Sequence, residues 1–283
     1  MSPAPGAPAP PPRPATIDQA LEGAMAALAE GRLADAEHLA GYVLKSNRGH
    51  VRAAQLFGQA VLRQGRPEAA LGALAPVARR TADPALETLL GRALLDLGRA
   101  DEAAARLREA VTRRPAYPVA FLELGDLLRN RGRLDEAAAV FGEGLALVPD
   151  ALVLKVGLGH VRLDQNDRAA ARRLFEAVHA AAPERPDAVI GLARTLALQG
   201  EHARAADLYR LALRAHPADL LLRIALAKCL LETGDRAAGE AELRRVARAG
   251  DQPAALAAAA LAATPRGRAF LRPSAAARHL ATG

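Results

Sequence analysis

Gly132-Arg133-Leu134-Asp135-Glu136-Ala137-Ala138 is a stretch that this chain writes seven times with small changes. Toward the N-terminus it matches Gly98-Arg99-Ala100-Asp101-Glu102-Ala103-Ala104, Gly65-Arg66-Pro67-Glu68-Ala69-Ala70 and Gly31-Arg32-Leu33-Ala34-Asp35-Ala36. Toward the C-terminus it matches Asn166-Asp167-Arg168-Ala169-Ala170-Ala171, Gly200-Glu201-His202-Ala203-Arg204-Ala205 and Gly234-Asp235-Arg236-Ala237-Ala238-Gly239. The first residues of these stretches lie 34, 33, 34, 34, 34 and 34 apart. A fixed period of this size marks a stacked array, in which each repeat buries its apolar face only against its neighbours.

With the recurring Gly set as position 15, the repeats begin at residues 17, 51, 84, 118, 152, 186 and 220. Position 8 then holds only Ala or Gly (Ala24, Gly58, Gly91, Gly125, Gly159, Ala193, Ala227), and so does position 20. Position 24 is mostly large: Ala40, Leu74, Leu107, Phe141, Phe175, Tyr209 and Leu243. Small and large columns recur at helical spacing on both sides of position 15, the pattern of two amphipathic helices. Small residues let the two helices cross closely, and the large ones fill the space beside them. Gly at position 15 suits the left-handed residue that ends a helix, and Asn166 is the next best substitute. Pro115, Pro149, Pro183 and Pro217 share position 32, where proline ends a second helix and opens the turn to the next repeat. The spacing therefore predicts helix, short turn, helix in every repeat.

Composition agrees with helices and bounds the function. Half of the 283 residues are apolar, yet aromatics make up only 3% and Trp is absent, which suits an Ala/Leu/Val/Gly interior and suits a β-sandwich poorly. The net charge is +7, but residues 253 to 283 hold four Arg and no acid, so the surplus sits mainly at that end. Within the repeats the signs are interspersed, which argues against a nucleic-acid binder with charge gathered on one face. The single Cys229 excludes an intramolecular disulfide and fits a reducing compartment. The N-terminus shows no basic segment followed by an apolar core, and no apolar run is long enough to span a bilayer. The expectation is a cytoplasmic protein with no membrane partner. Residues 1–16, rich in Pro and Ala, are expected to be a disordered tail.

The columns resemble the tetratricopeptide repeat family: small residue at 8, Gly near 15, Ala at 20, bulky residue at 24 and Pro at 32. The resemblance covers residues 17–251. The sequence departs from the pattern in having no Trp at position 4, with Lys155 and Arg223 at position 4 and Arg162 at position 11. The resemblance implies an all-α fold, a right-handed superhelix of seven helix-turn-helix units with a concave groove lined by the first helices. It also implies a binding scaffold without chemistry of its own and without a cofactor. A capping helix is expected over residues 252–264, followed by a basic tail over 265–283. Because Ala254 to Ala263 is only Ala and Leu, that helix should be covered, either by the tail folding back or by a second chain, which makes it a surface for self-association.

In the family, positions 5 and 9 face the groove. Position 5 offers Leu122, Val156, Ile190 and Ile224 in the later repeats; position 9 offers Gln59, Arg92, Asp126, His160, Arg194 and Lys228. An apolar row beside a mostly basic row suits an extended or helical peptide carrying apolar and acidic residues. Some members grip a C-terminal carboxylate with Lys at 5 and Asn at 9, and others carry an Asn ladder; this chain has neither. His160 is alone in the groove columns and reads as a polar lining residue, because a metal site needs three or four ligands. Cys229 reads as a small buried residue. The pairs Asp101-Glu102 and Asp135-Glu136 open second helices, where acids complement the helix dipole, and so need no catalytic role. No phosphate loop, nucleophile elbow or zinc spacing occurs. The sequence thus predicts a non-catalytic protein–protein scaffold. The alternative is an accessory or regulatory subunit of an enzyme, such as a transferase, whose catalytic part is on a separate chain.

Overall fold

The computed structural model describes residues 16–263 and 273–281. Among them it holds sixteen helices and no strand. Fourteen form seven consecutive pairs: α1 (Ile17–Ala29) with α2 (Leu33–Ser46), α3 (Val51–Arg63) with α4 (Pro67–Ala78), α5 (Pro84–Asp96) with α6 (Ala100–Thr112), α7 (Pro118–Asn130) with α8 (Leu134–Leu147), α9 (Leu152–Asp164) with α10 (Arg168–Ala181), α11 (Pro186–Leu198) with α12 (His202–Ala215), and α13 (Leu220–Glu232) with α14 (Arg236–Ala247). Two more follow, α15 (Asp251–Ala263) and α16 (Pro273–Ala281). The all-α solenoid expected from the columns is the fold observed. The repeats divide between two compact bodies, one ending at Leu154 and one starting at Lys155, so that the boundary falls in the first turn of α9.

The turn inside each pair follows from position 15. Gly31, Gly65, Gly98, Gly132, Gly200 and Gly234 have φ between 72° and 89°, and Asn166 has φ 62°. That is the left-handed region, where a Cβ is penalised in most residues and Asn is tolerated. In six of the seven turns the next residue donates its N–H back to the carbonyl at position 11, as in Arg133 to Leu128 at 2.9 Å and Asp167 to Arg162 at 2.8 Å. This is the Schellman closure, and it satisfies carbonyls that the end of a helix leaves unpaired. Pro84, Pro118 and Pro186 open first helices, at a first-turn position whose N–H would have no intrahelical acceptor. One proline lies within a helix: Pro76 sits inside α4, which continues to Ala78. Its ring would press on the carbonyl four residues back, and that residue is Gly72.

The close crossings are specific. A Cβ built on Gly58 would lie 2.9 Å from Leu74, on Gly91 2.7 Å from Leu107, on Gly125 2.5 Å from Phe141 and on Gly159 2.8 Å from Phe175. Each contact joins position 8 to position 24 of the same repeat. Phe141 and Phe175 are fully buried as a result, and Phe175 also lies 2.4 Å from the Cβ position of Gly191 in the next repeat.

Two of the three charged residues that depart from the family pattern, Arg223 and Arg162, find partners. Arg223 pairs with Glu242 at 2.8 Å and donates to the Pro217 carbonyl at 2.7 Å. Arg162 donates to Gln165 at 2.9 Å. Position 4 holds a further charge that the sequence pattern hid: Glu87 on α5 is 4% exposed. Its Oε2 has no hydrogen-bond partner, Arg106 stands 3.5 Å away, and burial pushes its carboxyl above the usual range.

At the C-terminal end α15 packs on α13 and α14, and α16 packs on α14 and α15. Leu261 of α15 with Ala276 and Leu280 of α16 join Leu231, Leu243 and Val246 in one buried cluster. The α16 helix occupies part of the segment expected to be a basic tail, and it covers part of the Ala-rich α15. It is also tied by a polar contact, His279 Nε2 to the buried Glu240 at 2.8 Å, with Arg244 on the same carboxylate at 3.3 Å. The tail expected over 1–16 lies, but for Thr16, outside the described residues. No described helix is long and apolar enough to cross a membrane.

Candidate peptide-binding face

The residues singled out at positions 5 and 9 all lie on first helices, at spacings that place them on one side of each helix. The two bodies present them differently. In the first body Leu122 on α7 is half-buried, and Gln59 on α3 is half-buried in the same column as Arg92 and Asp126. The positive charge of Arg92 is already used: it binds Glu123 at 2.9 Å and approaches Asp96 at 3.6 Å. Asp126 faces Arg129 at 3.8 Å, while burial pushes its carboxyl above the usual range. Gln55 donates to Asp83 at 2.9 Å, and Thr88 donates to the Pro84 carbonyl at 2.6 Å. A cavity of about 220 Å³ spans α3, α5 and α7, and Arg92, Asp96 and Glu123 line it together. The face of this body is polar and internally neutralised.

In the second body Val156 is only 5% exposed, so it belongs to the packing and offers nothing to a partner. Ile190 and Ile224 are half-buried and keep an accessible edge. His160 stacks edge-on against Phe175, with centroids 5.1 Å apart. No cluster of three potential metal ligands occurs among the described residues. Arg194 on α11 and Lys228 on α13 are exposed and make no ion pair among the described residues. Both line a cavity of about 410 Å³ formed by α11, α12 and α13 with the last residue of α15, Ala263. Tyr209 and Cys229 form part of its floor; both are buried, and burial pushes the Cys229 thiol up to about 11. A thiol held that high is neutral at physiological pH and a poor nucleophile.

Of the residues singled out from the sequence, Arg194 and Lys228 border this cavity, and Ile190 and Ile224 lie half-buried on the same two helices. Sequence reasoning missed Tyr209 as a lining residue, since position 24 reads as core filler. It also missed that Arg92 is neutralised, because Glu123 lies on the following first helix.

The tetratricopeptide repeat model matches residues 88–151 and 156–219, and that for subunit 3 of the anaphase-promoting complex, or cyclosome, matches residues 29–110. No curated protein matches the chain. Among solved structures it is similar to a thermophilic tetratricopeptide repeat protein of Thermus thermophilus, with TM-score 0.56 and 22% identity over 64% of this chain and 99% of that one. It is also similar to the Cut9-Hcn1 hetero-tetramer of the anaphase-promoting complex, with TM-score 0.63 and 13% identity over 93% of this chain and 55% of that one. A third similarity is to the human IFIT1 dimer with m7Gppp-AAAA, with TM-score 0.66 and 15% identity over 87% of this chain and 62% of that one.

Proposed function

The chain belongs to the tetratricopeptide repeat family, and we propose that it works as a non-catalytic scaffold which binds a peptide segment of another protein along its first helices. Repeat proteins of this family commonly mediate protein–protein contacts and assemble complexes. The similar structures differ in what they hold, a protein subunit in one and a capped oligonucleotide in another, so the fold alone does not choose the ligand. The observation that supports a peptide with acidic and apolar residues is the second body's face. There, two unpaired cations, Arg194 and Lys228, stand beside the accessible edges of Ile190 and Ile224. Apolar edges supply burial, and unpaired cations supply selection and register.

The test is site-specific photocrosslinking in the source cell. A benzoylphenylalanine at position 190 should capture a defined peptide segment, whereas one at the exposed Arg173 of α10 should not. The double variant Arg194→Glu, Lys228→Glu should fold normally and lose that crosslink. Equal capture from both positions, or undiminished capture by the double variant, sinks the reading.

A further inference from the structure

The geometry points to the cavity between α11, α12 and α13 as a receptor for one carboxylate of the partner peptide, held by Arg194, Lys228 and the hydroxyl of Tyr209. This rests on the peptide-binding reading above and narrows it to a chemical group and a place.

Three observations meet there. Charge comes first. On the first body's face Arg92, the cation of the position-9 column, already has Glu123 and Asp96 at hand. In the second body Arg194 and Lys228 make no ion pair among the described residues, and around the same hollow these two cations outnumber the one acid, Glu232. Two like charges brought to one cavity raise each other's energy until an anion arrives.

The second observation is Tyr209. Position 24 is Ala, Leu or Phe in every other repeat, so packing there asks only for an apolar body. Here the body carries a hydroxyl, the residue is 5% exposed, and the side chain makes no hydrogen bond among the described residues. Tyr209 lines the cavity, so that hydroxyl is available to an acceptor that enters, which a Phe could not offer. Burial pushes its pKa upward, so it stays a neutral donor.

The third is shape. About 410 Å³ admits an acidic side chain with part of its neighbour, and Ala197, Leu198, Ala225 and Ala263 give it apolar walls. Leu198 is among the exposed large apolar residues of the chain, which suits contact with an apolar neighbour of the acid. The three donors do not reproduce the Lys-and-Asn clamp at positions 5 and 9 that other members use; one of them comes from a second helix.

The experiment measures binding of short fluorescein-labelled peptides to the full chain by anisotropy. One alternates Leu and Glu and is blocked at both ends; a second replaces every Glu by Gln; a third is the Gln peptide with a free C-terminal carboxylate. The blocked Leu/Glu peptide should bind at least about tenfold more tightly than the blocked Leu/Gln peptide. Arg194→Gln and Lys228→Gln should each remove most of that preference. Tyr209→Phe should reduce it severalfold with an unchanged melting temperature, since the ring still packs. Tight binding of the third peptide marks a terminal carboxylate as an equally good occupant. The cavity assignment is overturned if Gln and Glu peptides bind alike, if none binds, or if the preference survives in all three variants. Should the Leu/Gln peptide bind as tightly and lose binding on Ile190→Glu, the peptide-binding face stands while the carboxylate site falls.

Discussion

The repeats up to Leu154 and those from Lys155 onward close the same turn with opposite charge orders. In the first body the residue after the turn glycine is Arg: Arg32, Arg66, Arg99 and Arg133. None caps the helix that follows, and each reaches an acid instead, as Arg133 reaches Glu136 at 2.5 Å and Arg66 reaches Glu37 at 2.7 Å. In the second body that position holds an acid. Asp167 and Asp235 accept from the N–H groups of Ala170 and Ala238, at 2.9 and 3.2 Å, and Glu201 gathers Arg172 and Arg204. Both bodies also differ on the first-helix face, neutralised in one and cationic in the other. The backbone geometry is the invariant, and side-chain charge is free to vary around it. Two repeats can therefore be identical in fold and unlike in what they recognise.

The packing column should be where the two bodies agree, and breaking it should give the largest effect. Gly125→Leu forces a side chain into space held by Phe141 and should destabilise by roughly 1–3 kcal/mol in thermal unfolding. Adding Phe141→Leu, the filler used at Leu74 and Leu107, should restore part of the loss. An unchanged melting temperature for Gly125→Leu means that the crossing is not as tight as described.

The caps should be where the bodies disagree. Asp167→Ala and Asp235→Ala each remove a side-chain cap and should cost about 1 kcal/mol in urea unfolding. Arg133→Ala removes only a solvent-exposed ion pair and should cost less than either, with the difference persisting in high salt. Equal losses in the two bodies would erase the distinction.

The smallest effect concerns Glu87, which has no counterpart in the second body's position-4 column. Its carboxyl is raised by burial, with Arg106 opposing, so the folded state holds the proton more tightly than the unfolded chain. Its favourable contribution is then full below the ordinary carboxylate range and is lost as pH rises through the raised value. Glu87→Gln should raise the melting temperature at neutral pH, and the gain should shrink on acidification. A variant that is destabilised at neutral pH shows instead that the Arg106 contact dominates.

How much of this was legible depended on whether the cause repeats. Position 15 demands a left-handed residue seven times over, and position 8 demands a small one, so the columns announced the fold. Arg194 and Lys228 were legible as cations of the position-9 column. Their lack of partners was not, because pairing is decided by which acid the adjacent helix happens to present, as Glu123 does for Arg92. Glu87 escaped notice for the same reason: a single buried charge breaks no period. Nor did the pattern carry past the seventh repeat, where α16 is fixed by Ala276, Leu280 and the contact of His279 with Glu240.

The glycine crossings have a consequence for how such a chain changes length. Each of Gly58, Gly91, Gly125 and Gly159 is filled by a side chain from its own repeat. Excising or duplicating a whole repeat carries lock and key together, so unequal recombination at the 34-residue period leaves those crossings intact. Phe175 is the exception among these fillers, because it fills Gly159 and Gly191 at once. The joint between the fifth and sixth repeats is one that such an exchange would tear, and lineages that gain or lose repeats should keep those two together.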